Sequence, residues 1–229
     1  ARMRTRKRTT RAATRTKTTI TIMKTSIYGR PSNRVTHRNS FSKHPNQSRR
    51  RATFSVRRTK KGALAGFHGR ASGTIIEITD CLLLTPDVLR GRKIAEELAQ
   101  IGSSRKGEMA VAVTQTDEGL DIAVSGGKPL DGPLRVLLAQ SCEALGLCRL
   151  AWEGEVIAAR GNAYQTFGDA QVTPPAGAFL QATVHGQQTL QSLVVEISKG
   201  AGRVADLFAG CGTFTFPLLA AHEVHAVEG

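Results

Sequence analysis

Residues 203–229, RVADLFAGCGTFTFPLLAAHEVHAVEG, hold the densest set of groups able to do chemistry. Asp206 stands four residues before Gly210, Gly212 follows two later, and Glu228 lies 22 positions beyond Asp206. A turn through Gly210-Cys211-Gly212, between a strand and a helix, offers bare backbone against which a ligand's polar groups can lie. An acid at the end of the next strand accepts hydrogen bonds from both hydroxyls of an adenosine ribose. The dinucleotide fingerprint wants a third Gly or Ala three residues after the second, and Thr215 holds that place, which argues against NAD or FAD. An acid placed like Asp206 suits a ligand with a positive amino acid end, so it would face the ammonium of S-adenosylmethionine, directly or through water. The same spacing also fits an ordinary βαβ unit that binds nothing.

Charge is the second signal. Residues 1–76 carry 21 Lys and Arg and no acid; residues 77–229 carry the other 11 basic residues and all 18 acids. A block so asymmetric suggests a polyanion partner, most often nucleic acid, against the alternative of a solvated tail with no partner. Arg49, Arg50, Arg51, Arg57, Arg58, Lys60 and Lys61 fall on an expected hairpin, which would display their charges on a fixed surface for RNA phosphates, with binding that weakens steeply in salt. Cys81, Cys142, Cys148 and Cys211 form no C-x-x-C pair and read as reduced thiols of a cytosolic protein. No apolar run approaches the length of a membrane span. The histidines show no metal-ligand pairing, and Trp152, after an apolar strand, reads as core rather than a base-stacking residue.

These groups need elements to position them. Residues 1–48 are low in complexity and read as disordered, with a transit peptide or a translation artefact as minor alternatives. From Ser48 a hairpin around Lys60-Lys61-Gly62 is expected, then a strand at 74–80 and a helix after Pro86. A hairpin joined at Asp117-Glu118-Gly119, a helix over GPLRVLLAQSCEALGL and two strands, CRLAW and EVIAAR, follow. After a Pro-Pro connection, Thr183 caps a helix running to Lys199 with Leu190, Leu193, Val194 and Ile197 on its buried face. RVADLFA then reads as a short, wholly buried strand of a parallel sheet, with Val204, Leu207, Val224 and Val227 as flanking core.

The segment FLQAT followed by DLFAGCGTFTFPLL and VHAVEG closely resembles the S-adenosylmethionine-dependent RNA 5-methyluridine methyltransferases, whose pattern is F-x-Q-x-N, D-L-F-C-G-x-G-x-F-x-L-P-L-A and V-x-G-V-E. The resemblance covers roughly residues 48–229. It implies an α/β fold: a disordered basic segment (1–48), an α+β central RNA-binding domain (49–170), and the first part of a Rossmann-like class I methyltransferase domain (171–229). By the same resemblance Gln181, Phe208, Thr213 and Glu228 would contact the cofactor, Gly210 and Gly212 would make the turn, and Asp206 would sit at the strand end. Thr183 replaces the family's Asn and Ala209 its common Cys. Some members hold a 4Fe-4S cluster through C-x5-C-x2-C and a later Cys. Cys81 stands where that fourth ligand would be, but the triplet is absent, one thiolate cannot hold a cluster, and Cys81 reads as a small buried residue.

The implied reaction is methylation of uracil C5 in ribosomal or transfer RNA. A thiolate attacks C6, C5 takes the methyl group, and a base removes the C5 proton. The family's thiolate and base lie in segments that would follow Gly229, so the chain reads as an incomplete N-terminal fragment, inactive in RNA methylation on its own, and no catalytic nucleophile is assigned. A monomer in the cytosol is expected. The alternative is a non-catalytic basic RNA-binding protein with a residual glycine turn. A small-molecule methyltransferase is disfavoured, because it would have no use for the cationic segment.

Overall fold

The computed structural model describes residues 45–229. The expected disorder of residues 1–44 lies outside the described residues. At 45–48 the chain is held, since the Gln47 N–H donates to Leu82 O at 2.7 Å and the Ser48 hydroxyl to Pro45 O at 2.6 Å. The elements run β1 (Arg51–Arg58), β2 (Ala63–His68), β3 (Ile75–Glu77), α1 (Pro86–Gly102), β4 (Glu108–Thr116), β5 (Gly119–Ser125), α2 (Gly132–Ala144), β6 (Arg149–Trp152) and β7 (Glu155–Ala159). These seven strands form one sheet in the order β3-β2-β1-β4-β5-β6-β7. All neighbours are antiparallel except β5 and β6, which α2 connects as a parallel pair.

Period-two patterning decides which face is covered. Phe54 and Val56 on β1, Met109, Val111 and Val113 on β4, and Leu120, Ile122 and Val124 on β5 point to one side and are buried against α1 and α2. Each such side chain contributes about 1.5–3 kcal/mol when fully buried. Both helices start where local chemistry dictates. Thr85 accepts from the Val88 N–H ahead of Pro86, and Asp131 accepts from the Leu134 N–H ahead of Pro133. Trp152 is fully buried, donates from Nε1 to Lys128 O at 2.9 Å, and fills the space left by Gly102 and Gly127. It is core, as expected.

The opposite face carries small residues (Thr53, Ala110, Ala112, Ala123, Ala151) and forms a shallow hollow that Ala176 and Gly177 help to line. The connection at 173–180 crosses it. Arg149 is pinned there in a buried, two-pronged pair with Asp121 (2.8 and 2.7 Å), and it also donates to Pro174 O at 2.9 Å.

Beyond the large sheet come a short hairpin not anticipated from sequence, β8 (Gln165–Phe167) and β9 (Ala170–Val172), then α3 (Val184–Ile197), β10 (Arg203–Leu207), α4 (Thr215–Leu218) and β11 (Glu223–Val227). β10 and β11 pair in parallel, Asp206 opposite Ala226. Three expectations need correction here. The buried residues of α3 are Gln187 and Gln191, while Leu190, Leu193 and Ile197 face outward, because polar partners just before β1, on β8 and on the glycine turn occupy the inner side. β10 alternates exposed and half-buried instead of being wholly buried, and Leu207 is exposed: among the described residues β11 is its one strand partner. α3 ends at Ile197, two residues before Lys199.

Candidate functional site

The glycine turn is shaped by backbone conformations that side chains resist. Phe208, Gly210 and Gly212 have φ of +63°, +56° and +85°, so the chain leaves β10 through three left-handed residues. The Ala209 N–H donates to Val227 O at 3.0 Å, carrying the β10–β11 ladder into the turn. A Cβ at Gly212 would collide with the Phe216 ring, whereas one at Gly210 would meet nothing within 4 Å. Gly212 therefore serves the packing of α4, and Gly210 borders open space.

Two carboxylates converge on this turn. The Gly210 N–H donates to Glu228 Oε2 at 2.7 Å, which brings the acid at the end of β11 onto the turn's backbone. The Thr215 hydroxyl donates to Asp206 Oδ2 at 2.5 Å, fixing the acid of β10 against the first residue of α4. Gln191 Nε2 donates to Thr213 O at 2.8 Å and so ties the turn to α3. Burial pushes the Cys211 thiol up, and the nearby Glu228 charge adds to it. Phe208 projects into solvent, 88% exposed.

Gln181 stands half-buried on the strap leading into α3, and Thr183 caps that helix by accepting from the Gly186 N–H at 2.9 Å. What holds this strap is Arg50. Its Nε donates to Gln181 O (3.2 Å), Nη1 to Gln165 Oε1 (2.9 Å) and Nη2 to Gln187 Oε1 (2.6 Å), with the residue only 8% exposed. Burial lowers its pKa, partly offset by Asp117. Arg51 donates to Leu180 O at 2.9 Å and lies over the Phe179 ring at 5.2 Å. Arg50 is thus committed to the junction between strap and sheet, which corrects its expected role in phosphate contact, while half-buried Arg51 braces the same junction through one nitrogen. Arg49 is exposed, with Nε on Arg51 O at 3.3 Å.

The remaining expected cations lie at the other end of β1. Lys60 and Lys61 are exposed on the hairpin turn, Arg58 is half-buried, and Arg57 pairs with Glu108 at 2.8 Å. His68 also meets Glu108, at 2.6 Å.

Two residues that hold the strap junction and the turn escaped sequence reading, Gln187 and Gln191 respectively. Their signal was a polar stripe at 183, 187 and 191, four residues apart on one helix face. Cys81 is half-buried, and its Sγ accepts from the Leu83 N–H at 3.4 Å. Among the described residues no group of three or more His, Cys, Asp or Glu is disposed to hold a metal, so an iron–sulfur cluster does not fit them. Burial raises the thiols of Cys142 and Cys148 as well. Among the described residues no helix is long and apolar enough to cross a membrane.

With this geometry in hand, comparison with known proteins is direct. No protein-family model matches the chain. It is 37% identical over 181 residues to a protein of Brucella suis named as an uncharacterised RNA methyltransferase, an alignment covering 79% of this chain and 44% of that protein. A protein of the same description from Mesorhizobium japonicum is 37% identical over 182 residues, covering 80% and 44%. The 23S rRNA (uracil(1939)-C(5))-methyltransferase RlmD of Shewanella piezotolerans is 28% identical over 199 residues, covering 81% and 44%. The fold matches the crystal structure of Pyrococcus abyssi tRNA (uracil-54, C5)-methyltransferase in complex with S-adenosyl-L-homocysteine. That match has a TM-score of 0.58 at 15% identity, over 80% of this chain and 50% of that one. The resemblance to RNA uracil-C5 methyltransferases read from the sequence is thereby shown. The chain spans less than half the length of the curated relatives it matches.

Proposed function

We propose that this chain supplies the RNA-holding sheet and the front half of the S-adenosylmethionine site of a methyltransferase acting on uracil C5 in ribosomal or transfer RNA. Residues 49–170 form the RNA-holding part and residues 171–229 the cofactor part. The observation that carries the reading is the meeting of Glu228 with the Gly210 N–H beside open space. A carboxylate so placed would accept from ribose hydroxyls, and Asp206, held by Thr215, would hold the ligand's ammonium. Gln181, Phe208 and Thr213 complete the contacts, and Gly210 and Gly212 let the backbone approach.

The cofactor's sulfonium supplies the methyl group. The chain's own residues bind and orient. The target base must leave its stack to reach the donor, and the fixed turn gives the donor one position. The thiols of Cys142, Cys148 and Cys211, all pushed up by burial, are not primed to attack C6. A cytosolic monomer belongs to the same proposal.

Calorimetric titration of the chain with S-adenosylmethionine and, separately, with RNA tests it. Binding of the methyl donor that Glu228→Ala abolishes is the expected result. RNA binding with no response to the methyl donor would sink the enzyme reading in favour of a non-catalytic RNA-binding protein.

A further inference from the structure

We propose that the end of the large sheet remote from the glycine turn is a phosphate-gripping rim for RNA, built from three loops and set about 23 Å from the junction that holds the cofactor strap. The inference rests on RNA being the partner and adds where, and how far from the turn, the backbone is held.

Three loops meet at this end. The β1–β2 turn, closed by the Thr59 N–H on Gly62 O at 2.9 Å, carries Arg57, Arg58, Lys60 and Lys61. Arg57 lies opposite Glu108 in the β1–β4 register, which sets the loop before β4, with Arg105 and Lys106, beside that turn. Ala110 lies opposite Ser125, so the loop after β5 comes next, and its Lys128 N–H donates to Gly102 O at 2.8 Å. Lys60, Lys61, Arg105, Lys106 and Lys128 are all exposed. Across residues 57–62, 103–108 and 125–128 there are seven Lys and Arg and one acid. That acid, Glu108, is already matched by Arg57 at 2.8 Å and His68 at 2.6 Å, and Glu153 of the adjoining β6–β7 turn, an acid that reaches these loops from outside, accepts from the Gly127 N–H at 2.7 Å. The cations are left to attract an external anion, and three loops braced by a sheet hold them in a fixed array.

The opposite end of the same strand is the junction. Arg50 binds Gln165, Gln181 and Gln187 there. The α4 end of the glycine turn packs nearby, because a Cβ at Gly168 on the β8–β9 turn would lie 3.4 Å from Pro217. β1 runs from Arg51 to Arg58 between the two ends, seven steps of about 3.3 Å, or ~23 Å. At about 3.4 Å per stacked nucleotide, ~23 Å corresponds to about seven nucleotides. The sheet therefore acts as a spacer, gripping phosphates several nucleotides from the base that is presented to the methyl donor.

The test uses the full chain and two oligouridylates, one of about 20 nucleotides and one of two; at about 3.4 Å per stacked nucleotide, or even twice that in an unstacked strand, only the longer crosses ~23 Å. The rim variant is Lys60→Gln/Lys61→Gln/Arg105→Gln/Lys106→Gln. The control, Arg90→Gln/Lys93→Gln, removes charges from α1. The slope of log affinity against log salt should become shallower by about 0.7 for each phosphate the variant no longer neutralises, so up to about 3 for the rim variant. The control should keep the native slope, and the rim variant should lose most of the preference for the longer RNA. An unchanged slope in the rim variant, an equal change per charge in the control, or a native chain that binds anionic lipid vesicles but no oligouridylate would each overturn the rim. Binding of S-adenosylmethionine, read in parallel, reports on the enzyme proposal alone, so the two can fail separately.

Discussion

Arg50 joins the large sheet to the elements that carry the glycine turn, and replacing it with Met should separate them. Met keeps much of the apolar stem but removes three donors, whose acceptors are Gln181 O, Gln165 Oε1 and Gln187 Oε1. Both glutamines are buried, at 4% and 3% exposure, and each stranded amide oxygen costs about 1–3 kcal/mol. The guanidinium itself is desolvated in the native state, the largest reason its pKa is lowered, and removing it recovers part of that cost. The expected net loss is about 2–4 kcal/mol, two stranded amide oxygens less the desolvation recovered. Urea unfolding followed by the fluorescence of Trp152, the single tryptophan, gives the measurement. Arg50→Lys, which keeps the charge but not the fork, should fall between Met and native and remains measurable should the Met variant unfold.

The coupling is sharper than the loss. Gln187→Leu should be costly in the native background and much less so beside Arg50→Met, because its Arg50 partner is then already gone. The cycle should return an interaction of about 1.5–3 kcal/mol, the worth of a hydrogen bond to a charged group. Arg50→Met costing less than about 1 kcal/mol, or Gln187→Leu costing the same in both backgrounds, would refute the junction.

Two further outcomes follow from the turn. Gly210→Ala adds a methyl to open space at φ +56°, so it should cost about 1 kcal/mol of stability yet remove methyl-donor binding; Gly212→Ala meets Phe216 and should cost about 3 kcal/mol, as denaturant midpoints will show. Equal costs would contradict the division of labour between the two glycines. Glu228 raises the Cys211 thiol, second to burial, so removing its charge enlarges the thiolate fraction. Glu228→Gln should therefore speed alkylation of Cys211 by iodoacetamide at neutral pH, read by peptide mass spectrometry, and an unchanged rate would place the carboxylate away from the turn.

Much of the fold was legible because it is locally encoded. The Lys-Lys-Gly turn, the Asp-Glu-Gly turn and the cap at Thr183 lie where the chain's short-range chemistry puts them. The approach of Glu228 to Gly210 was legible for a related reason. A parallel βαβ unit fixes how far along the chain the second strand must end, and the 22-residue spacing met that requirement. The β8–β9 hairpin escaped because three-residue strands give no periodicity to read, leaving Gly168-Asp169 as its one mark.

Burial decided by distant segments was not legible. Arg50 and Arg58 are the same residue type at the two ends of one strand, and sequence reading gave both the same role. Residues 180–187, more than a hundred positions away, return to Arg50 and enclose it, while nothing comparable covers Lys60 and Lys61 at the far end. On α3 the same long-range choice reversed the expected faces: an apolar stripe and a polar stripe were both present, and Arg50 together with the turn selected the polar one. A cationic run on a strand thus divides by what crosses it. Its covered end positions the cofactor strap, and its bare end is left for phosphate. For this reason charge removal at Lys60 and Lys61 should alter RNA affinity without loss of stability, whereas removal at Arg50 should lower stability first.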